Sequence, residues 1–294
     1  MLAQILDHKR TEIARLDPGE WKSRAAESPA PRGFLPLEAK RGARPRTSPM
    51  LVAEIKRASP SRGELNTGLD PQLLAQLYAE NGAAAISVLT DEKFFRGSVE
   101  DLIALRGENF QTHDQRPVPL LRKDFILAPV QLFQSRALGA DAVLLIAAAL
   151  EGGALPHMLA QALELGLTPL VEVHTGKELD RALRIPELRW LGVNNRNLAT
   201  FEVRTKTCLE LGPEIPPEIG SIAESGILCA ADARTAGEAG YDAVLVGEAL
   251  VTAKDPAAKV RELAGNPAPD PSSPFAGSPP GEWIEEEGRR GHDR

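Results

Sequence analysis

Eight short apolar runs alternate with eight helical patterns along the chain, and this alternation limits the possible folds more than any other feature of the sequence. The runs are rich in β-branched residues, and their starts lie 21 to 34 residues apart, which leaves room for one helix and two loops between consecutive runs. The predicted strands cover residues 50–55, 84–89, 118–121, 141–146, 168–173, 189–194, 220–223 and 242–246. The predicted helices cover residues 71–81, 99–106, 129–138, 155–165, 177–183, 202–211, 230–239 and 256–263.

Strands and helices that alternate in this way predict an α/β protein with a parallel sheet, and eight units are enough to close the sheet into a (β/α)8 TIM barrel. The 294 residues of the chain exceed the number, about 250, that such a barrel typically needs. A doubly wound open sheet is the alternative. No glycine-rich dinucleotide loop follows the first predicted strand, so the sequence favours the barrel over residues 50–264.

The two ends of the chain depart from this pattern. The apolar residues among positions 1–16 fall on one helical face, which predicts an amphipathic helix. A linker rich in proline, arginine and glycine, "SPAPRGFLPLEAKRGARPRTSP", then leads to the first strand. Residues 265–294 contain many prolines and little apolar periodicity, so we expect a disordered tail with little role in chemistry.

The composition excludes several classes of function. Hydrophobic residues make up 43% of the chain and charged residues 26%, which is typical of a soluble globular protein with a large core. The formal net charge of −7 disfavours nonspecific nucleic-acid binding, because a basic excess is needed to neutralise phosphates. No apolar run of about 18 residues is present, and the first residues are too charged for a signal peptide. We therefore expect a cytoplasmic protein without membrane contact.

Cysteine and histidine usage points the same way. Cys208 and Cys229 have no metal-like spacing and do not form a disulfide framework, which is typical of a reducing compartment. The five histidines are scattered and give little support to a zinc site, so we expect no metal. The sequence leaves the oligomeric state open, and we expect a monomer or a weak homodimer.

Charged and amide side chains recur where the predicted strands end. The first strand ends in Glu54 and Lys56, the third in "LLRKDFI" with Lys123, the fifth in "LVEVH" with Glu172, and the sixth with Asn194. Each of these residues alone is more often a solvated rim residue than a catalyst. In a barrel, however, the C-terminal ends of the strands meet at one mouth, so this convergence indicates an active site there.

Glycines follow the seventh and eighth predicted strands, in "ESGI" and "VGEA". A phosphate site after these two strands recurs in the barrel fold, and backbone N–H groups build much of it. Ser225-Gly226 and Gly247-Glu248 therefore predict phosphate binding and a substrate with a phosphoester, although each dipeptide could also serve a tight turn only.

The stretch "LVAEIKRASPSRG" closely resembles the signature of the indole-3-glycerol phosphate synthase family, whose members carry out a decarboxylating ring closure in tryptophan biosynthesis. The resemblance covers roughly residues 50–250 in the family's order. It continues through "ISVLTDEKFFRGS", "LLRKDFI", "DAVLLIAAAL", "LVEVH", "LGVNNRNL", "AESGI" and "AVLVGEAL". Residues 1–49 resemble the extension that family members place over the barrel mouth, whereas the proline-rich tail is a departure from the family.

The resemblance implies a substrate, 1-(2-carboxyphenylamino)-1-deoxyribulose 5-phosphate, and the products indole-3-glycerol phosphate, carbon dioxide and water. It implies that the catalytic residues are Glu54, Lys56, Lys123, Glu172 and Asn194. It implies that the substrate-binding residues are Ser59, Pro60, Phe95, Phe125, Arg196, Leu198, Glu224 and Leu245. It implies that the phosphate-binding residues are Ser225, Gly226, Gly247 and Glu248.

The chemistry of this reaction explains the residue types. Ring closure turns a carbonyl oxygen into a hydroxyl, so an ammonium beside it can act as the acid, and Lys123 is the expected donor with Lys56 as a second cation. The sequence leaves open which lysine donates first. Glu172 is the expected base of the later steps, and Glu54 is expected to pair with a lysine and keep it charged. No cofactor is expected, because protonation during closure creates the electron sink for decarboxylation.

Two alternatives remain at this point. Phosphoribosylanthranilate isomerase is expected to use a cysteine and an aspartate at strand ends, whereas Cys208 and Cys229 lie in or before predicted helices. A non-catalytic barrel that binds a sugar phosphate would have no reason to retain Glu54, Lys56 and Lys123 together with Glu172.

Overall fold

Eight parallel strands close into a barrel in the computed structural model, which describes residues 1–36, 48–108, 110–112, 115–198 and 200–265. In their order around the barrel, the strands are β1 (Met50–Ile55), β4 (Ala83–Leu89), β5 (Leu120–Lys123), β6 (Ala142–Ile146), β7 (Thr168–Val173), β8 (Trp190–Asn194), β9 (Gly220–Glu224) and β10 (Ala243–Val246). The last strand pairs with the first, so that Val52 lies opposite both Leu245 and Ala85. The predicted (β/α)8 barrel is confirmed.

Each strand is buried on both faces, which explains why the sequence shows apolar runs rather than alternation. In β6 all five residues are buried. Side chains that point inward fill the barrel and include Val52, Leu121, Leu144, Leu170 and Ile222. Side chains that point outward pack under the helices and include Leu51, Val88, Val143, Val171 and Val244.

Eight helices cover the outside of the barrel between the strands. They are α3 (Pro71–Glu80), α5 (Val99–Gly107), α6 (Pro129–Ala137), α7 (Ala154–Glu164), α8 (Gly176–Ala182), α9 (Lys206–Leu211), α10 (Ala230–Glu238) and α12 (Pro256–Ala264). All lie within about one residue of their predicted bounds except α9, which begins four residues later than predicted. Residues 200–204 fold back on the end of β8 instead: Phe201 N donates to the Asn197 carbonyl at 2.7 Å, and Arg204 N donates to the Asn195 carbonyl at 2.8 Å.

Several short elements were not predicted, because they carry no apolar periodicity. They are α2 (Pro18–Glu27), α4 (Glu92–Phe95), α11 (Glu248–Val251) and a hairpin of β2 (Ala58–Ser59) and β3 (Gly63–Glu64). Local chemistry accounts for two of them. Asp17 caps α2 by accepting from Gly19 N and Glu20 N, and Asp91 caps α4 by accepting from Phe94 N.

The N-terminal segment contacts both ends of the barrel. Helix α1 (Leu2–Ile13) brings Lys9 to residues that directly follow β4 and β5, at the C-terminal ends of the strands. Helix α2 packs against α6. Beyond α2, Arg32 N donates to Asp141 at 2.6 Å and Phe34 packs on Trp190, both at the N-terminal ends of strands.

The predicted tail beyond Gly265 and residues 37–47 of the predicted linker lie outside the described residues. Among the helices that the structure describes, none combines the length and the apolar character that a membrane span needs.

Candidate active site

The C-terminal ends of the barrel strands surround a cavity of about 460 Å³. All predicted site residues except Ser59 and Pro60 line this cavity, and the wall is completed by other residues of the same loops. The predicted residues on the wall are Glu54, Lys56, Phe95, Lys123, Phe125, Glu172, Asn194, Arg196, Leu198, Glu224, Ser225, Gly226, Leu245, Gly247 and Glu248.

Ser59 and Pro60 lie in the β2–β3 hairpin region and not on the cavity wall. Ser59 is 7% exposed and its hydroxyl has no hydrogen-bond partner within the described structure. Their neighbours Ser61 and Arg62 line the cavity instead. The predicted substrate contacts of Ser59 and Pro60 therefore stay predictions.

Lys123, at the end of β5, lies between two carboxylates, Glu172 from β7 and Glu224 from β9 on the opposite side of the barrel. Its Nζ lies 2.9 Å from Glu172 Oε2 and 3.1 Å from Glu224 Oε2, and both carboxylates are about 1% exposed. A Cβ on Gly192 of β8 would collide with the Glu224 carboxylate, so the glycine makes room for this arrangement. Glu224 was predicted as a substrate contact, and here it is a direct partner of Lys123.

The surroundings separate the proton affinities of the two carboxylates. Burial raises the pKa of Glu224 to about 8, because the neighbouring Glu172 adds to burial and Lys123 offsets it only in part. Burial also disfavours ionised Glu172, but Lys123 and His174 outweigh it and hold the pKa of Glu172 well below its usual range. The pKa of Lys123 is raised despite burial, because the three glutamates around it, first of all Glu172, favour the ammonium. Neighbouring carboxyl groups whose pKa values are shifted in opposite directions are suited to acid–base chemistry.

The two charged residues at the end of β1 form an ion pair, as predicted. Lys56 Nζ lies 2.8 Å from Glu54 Oε1, and the Lys56 side chain is 14% exposed toward the cavity. A Cβ on Gly247 would lie 3.1 Å from Glu54 Cβ and closer still to its carboxylate. Gly247 therefore makes room for Glu54, whatever its part in phosphate binding.

Asn194 and Arg196 connect the loop after β8 with the loop after β1. Arg196 N donates to Asn194 Oδ1 at 2.9 Å, and Arg196 Nη1 donates to Ser61 Oγ at 2.7 Å and to the Phe201 carbonyl at 3.1 Å. Arg196, a predicted substrate-binding residue, thus connects two walls of the cavity.

One wall of the cavity is apolar. The rings of Phe95 and Phe125 lie 6.2 Å apart between centroids, and Leu198 and Leu245 belong to the same group of apolar residues. Leu144 and Ile146 of β6 also line the cavity, and neither was predicted, because apolar residues inside a strand carry no functional signal.

The loops after β9 and β10 differ in conformation. Ser225 and Gly226 both have left-handed backbone angles, with φ of 66° and 77°. A Cβ on Gly226 would come within 2.9 Å of methyl carbons of Thr205 and Val203, so that loop is closely packed. After β10, Glu248 pairs with Arg62 at 3.0 Å across the mouth.

Two groups of residues beside the site were missed. Lys9 lies 3.0 Å from Asp91 and 2.9 Å from Asp124, and Asp124 also pairs with Arg122 at 2.9 Å. The signal for Lys9 was a charge on the apolar face of the first helix. The other group is His174 with Glu178, next to Glu172; the sequence motif "LVEVH" contained the histidine, but its partner comes from α8. Within the described residues, no cluster of His, Cys, Asp or Glu is arranged to bind a metal.

Acid–base groups that meet at the C-terminal mouth of a (β/α)8 barrel define the class of the protein, a barrel enzyme that acts on a small molecule. The family model of indole-3-glycerol phosphate synthase matches residues 2–263. The chain therefore belongs to the indole-3-glycerol phosphate synthase family.

Curated relatives of the same description extend over most of the chain. The indole-3-glycerol phosphate synthase of Chlorobium chlorochromatii is 48% identical over 256 residues, which are 85% of this chain and 94% of the relative. The corresponding protein of Roseiflexus castenholzii is 47% identical over 271 residues, 90% of this chain and 98% of the relative.

Solved structures of more distant proteins share the fold. 3-Hexulose-6-phosphate synthase from Salmonella typhimurium has a TM-score of 0.55 at 14% identity and covers 74% of this chain and 97% of its own. Thiamine phosphate pyrophosphorylase from Pyrococcus furiosus has a TM-score of 0.53 at 17% identity and covers 74% of this chain and 94% of its own. At these identities the likeness concerns the barrel alone.

Proposed function

We propose that the chain converts 1-(2-carboxyphenylamino)-1-deoxyribulose 5-phosphate into indole-3-glycerol phosphate, carbon dioxide and water. The observation that carries the proposal is the position of Lys123, an ammonium between Glu172 and Glu224 on a cavity with an apolar aromatic wall. This arrangement occurs in a chain that belongs to the synthase family.

Ring closure is the step that needs an acid. The aromatic carbon that bears the carboxylate attacks the ketone carbon, and the carbonyl oxygen takes a proton as the new bond forms. Lys123 donates this proton, because its ammonium is buried, charged and directed into the cavity. Lys56, paired with Glu54 at 2.8 Å, is the second cation, and in this proposal it faces the same oxygen and the substrate carboxylate.

Decarboxylation follows because closure leaves a cationic nitrogen conjugated with the ring. The electrons of the breaking carbon–carboxylate bond move into the ring and neutralise this nitrogen, and carbon dioxide leaves. Phe95, Phe125 and Leu198 surround the ring in this proposal, and an apolar wall withdraws water from the carboxylate that is lost.

Dehydration needs a base. Glu172 takes a proton from the carbon next to the nitrogen, the electrons form the new double bond, and the hydroxyl leaves as water with a proton from a lysine ammonium. Two protons are delivered to the departing oxygen and one is recovered from carbon, so each turnover consumes one proton from solvent. Burial and the neighbouring Glu172 raise the pKa of Glu224, which favours the protonated form that adds no second negative charge beside Glu172.

The phosphate is assigned to Ser225, Gly226, Gly247 and Glu248. The Glu248 carboxylate already pairs with Arg62, so its contact to phosphate in this proposal is through the backbone N–H. We propose that Asn194 and Arg196 orient the substrate between the loops after β1 and β8. We propose also that the protein acts in the cytoplasm as a monomer or weak homodimer, without a cofactor and without nucleic-acid or membrane partners.

The test is direct. Purified protein is incubated with the carboxyphenylamino-deoxyribulose phosphate while indole fluorescence and released carbon dioxide are followed. We expect both to rise together, in equal amounts. Absence of both signals with a folded protein would refute the proposal, and tight substrate binding without turnover would support the non-catalytic barrel.

The isomerase alternative is disfavoured by the cysteines. Burial raises the pKa of Cys208 to about 12, and its Sγ lies 3.2 Å from the Val193 carbonyl rather than on the cavity wall. Cys229 precedes α10 and also lies off the wall. Phosphoribosylanthranilate serves as the control substrate, and no turnover of it is expected.

A further inference from the structure

His174 lies directly behind Glu172 and does not line the cavity. Its Nε2 is 3.2 Å from Glu172 Oε1, while the other carboxylate oxygen, Oε2, faces Lys123 at 2.9 Å. The Glu172 carboxylate thus lies between two groups that can carry a positive charge, Lys123 at the cavity and His174 behind the cavity wall.

Glu178, on α8, determines the orientation of the imidazole. Its Oε2 lies 3.2 Å from His174 Nδ1 and also accepts from the His174 backbone N at 2.8 Å. Thr175 Oγ1 in turn accepts from Glu178 N, which caps α8. Both ring nitrogens lie 3.2 Å from carboxylate oxygens, Nδ1 in a hydrogen bond with Glu178 and Nε2 in an ion-pair contact with Glu172, without a hydrogen bond of regular geometry. Two carboxylates at this distance suit a charged imidazolium.

Among the ion pairs of the described residues, Glu172 has no cationic partner on that side other than His174, and Arg181 of α8 donates to the Ala147 carbonyl instead. The neighbouring strands, β6 and β8, carry no ionisable side chains within Ala142–Ile146 and Trp190–Asn194. His174 contacts two charged groups, Glu178 and Glu172. Glu172 in turn contacts Lys123, which also contacts Glu224. His174 itself is 10% exposed, so solvent screens these contacts little.

We propose that His174 is a positioning residue that holds the Glu172 carboxylate in place and ionised, with Oε2 directed toward Lys123 and the substrate. The proposal rests on the proposed role of Glu172 as the base. Without the imidazolium, Glu172 would be a buried carboxylate with Lys123 as its single cationic partner among the described contacts, and that partner is the group that gives up a proton during ring closure.

The charge of His174 agrees with this role. Burial would lower the pKa of His174, but Glu172 and Glu178 outweigh burial and raise it to about 9. The imidazolium is therefore present at neutral pH and is lost as the pH rises through about 9. We expect kcat to fall on the alkaline side where this charge disappears.

The first experiment measures the contact without any need for activity. Imidazole nitrogen signals of 15N-labelled protein are followed by NMR against pH, and His174→Asn assigns the signal. We expect a midpoint near 9 in the wild type and a fall toward the free-imidazole value of 6.5 in Glu172→Gln. A wild-type midpoint near 6.5, or one that Glu172→Gln leaves unchanged, would overturn the proposal.

The second experiment measures the consequence. His174→Asn keeps a hydrogen-bond donor without the charge, and we expect kcat to drop by about tenfold or more with KM changed less than about twofold. The alkaline limb near pH 9 should also disappear from its kcat profile. His157→Asn, on the exposed face of α7, is the matched control and should match the wild type.

The outcomes separate the two proposals. An inactive wild type with a His174 midpoint near 9 would refute the proposed function but not the contact. An unchanged kcat in folded His174→Asn would refute the positioning role even if the synthase activity is present. If His174→Asn does not fold, Glu178→Gln takes its place, because it weakens the same imidazolium from the far side, and its expected effect is a lower His174 midpoint with a lower kcat.

Discussion

Lys123 contacts two carboxyl groups whose pKa values are shifted in opposite directions. This difference determines how the site should respond to substitution. The pKa of Glu172 is held low and that of Glu224 is raised, although both are buried and both touch the same ammonium. Removing Lys123 would leave the two carboxylates together without their shared cation. Part of the effect of such a change will therefore appear in stability and not only in rate.

Lys123→Ala and Glu172→Gln should fail at different steps. If Lys123 is the acid of ring closure, Lys123→Ala should lower kcat by at least about 10²-fold, with carbon dioxide release falling equally. Glu172→Gln should also slow turnover, but the decarboxylated intermediate should accumulate because dehydration lacks its base. Rapid-quench sampling with carboxyl-labelled substrate measures both, at a temperature where each variant is folded.

Carbon dioxide release at the normal rate in Lys123→Ala would assign the acid role to Lys56 instead. Glu224→Gln is the matched control: it replaces the carboxyl group whose pKa burial raises, so a smaller loss than in Glu172→Gln is expected.

The two glycine loops should also be separable by substitution. Gly226→Ala introduces a Cβ that meets Thr205 and Val203 at a left-handed position, which distorts the loop after β9 and should raise KM more than it lowers kcat. Gly247→Ala places a Cβ against Glu54, so it should displace the partner of Lys56 and lower kcat as well. Steady-state kinetics of the two variants measures the difference. Equal changes in KM alone would mean that Gly247 serves phosphate binding only.

Helix α1 joins two strand ends through one buried side chain. Lys9 is 2% exposed and contacts Asp91, which caps the helix that carries Phe95, and Asp124, which follows Lys123. Burial would raise the pKa of Asp124, but Arg122 and Lys9 hold it well below its ordinary value of 3.8. The stability that Asp124 contributes is therefore present above pH 3.8 and is lost as the pH falls.

Lys9→Met should test this link between elements. The change leaves buried Asp91 without its cation and Asp124 with Arg122 alone, so the free energy of unfolding should fall by about 3 to 5 kcal/mol, measured by urea denaturation at neutral pH. Arg10→Met is the control from the same helix: its pair with Asp7 is exposed, and its loss should cost less than about 1 kcal/mol. Equal effects of the two variants would contradict the proposed link.

The barrel strands and the helices between them could be predicted, because their buried residues form local apolar runs or periodic apolar patterns in the sequence. β1 and β7 match their predicted bounds, since a strand buried on both faces is a continuous apolar run between turn residues. Helix α9 is shorter than predicted, because its apolar spacing begins in residues that instead fold back on Asn195 and Asn197. The strand-end residues Lys123 and Glu172 could be predicted, because their position follows from the fold alone.

Contacts between residues that are distant in the sequence could not be predicted from local sequence patterns. The link from Lys9 to Asp91 and Asp124, and that from His174 to Glu178, depend on how helices dock on the barrel. A charge among apolar residues of the first helix marked Lys9 as unusual, but nothing in the sequence identified its partners.

At the scale of the whole molecule, the two ends of the barrel have different tasks. The C-terminal ends carry the cavity, whereas at the N-terminal ends Asp141 connects the segment after α2 with the barrel. Its carboxylate, fully buried, accepts from Arg32 N at 2.6 Å, Arg106 Nη1 at 2.9 Å and Leu120 N at 2.9 Å. A substitution of Asp141 should therefore lower the stability of the protein while leaving its activity unchanged.

Asp141→Ala should lower the free energy of unfolding by about 3 to 5 kcal/mol, because the Arg106 guanidinium and two backbone N–H groups lose a buried acceptor. The kcat and KM of the folded enzyme should stay within about twofold of the wild type, because the substitution lies at the opposite end of the barrel from Lys123. Urea denaturation and steady-state kinetics on the same preparation measure both quantities. Glu20→Ala, which removes an exposed pair with Arg24 on α2, is the control and should change neither by much. A large loss of kcat in Asp141→Ala with unchanged stability would contradict this separation. It would mean that a contact at the N-terminal ends of the strands alters the geometry of the cavity at the C-terminal ends.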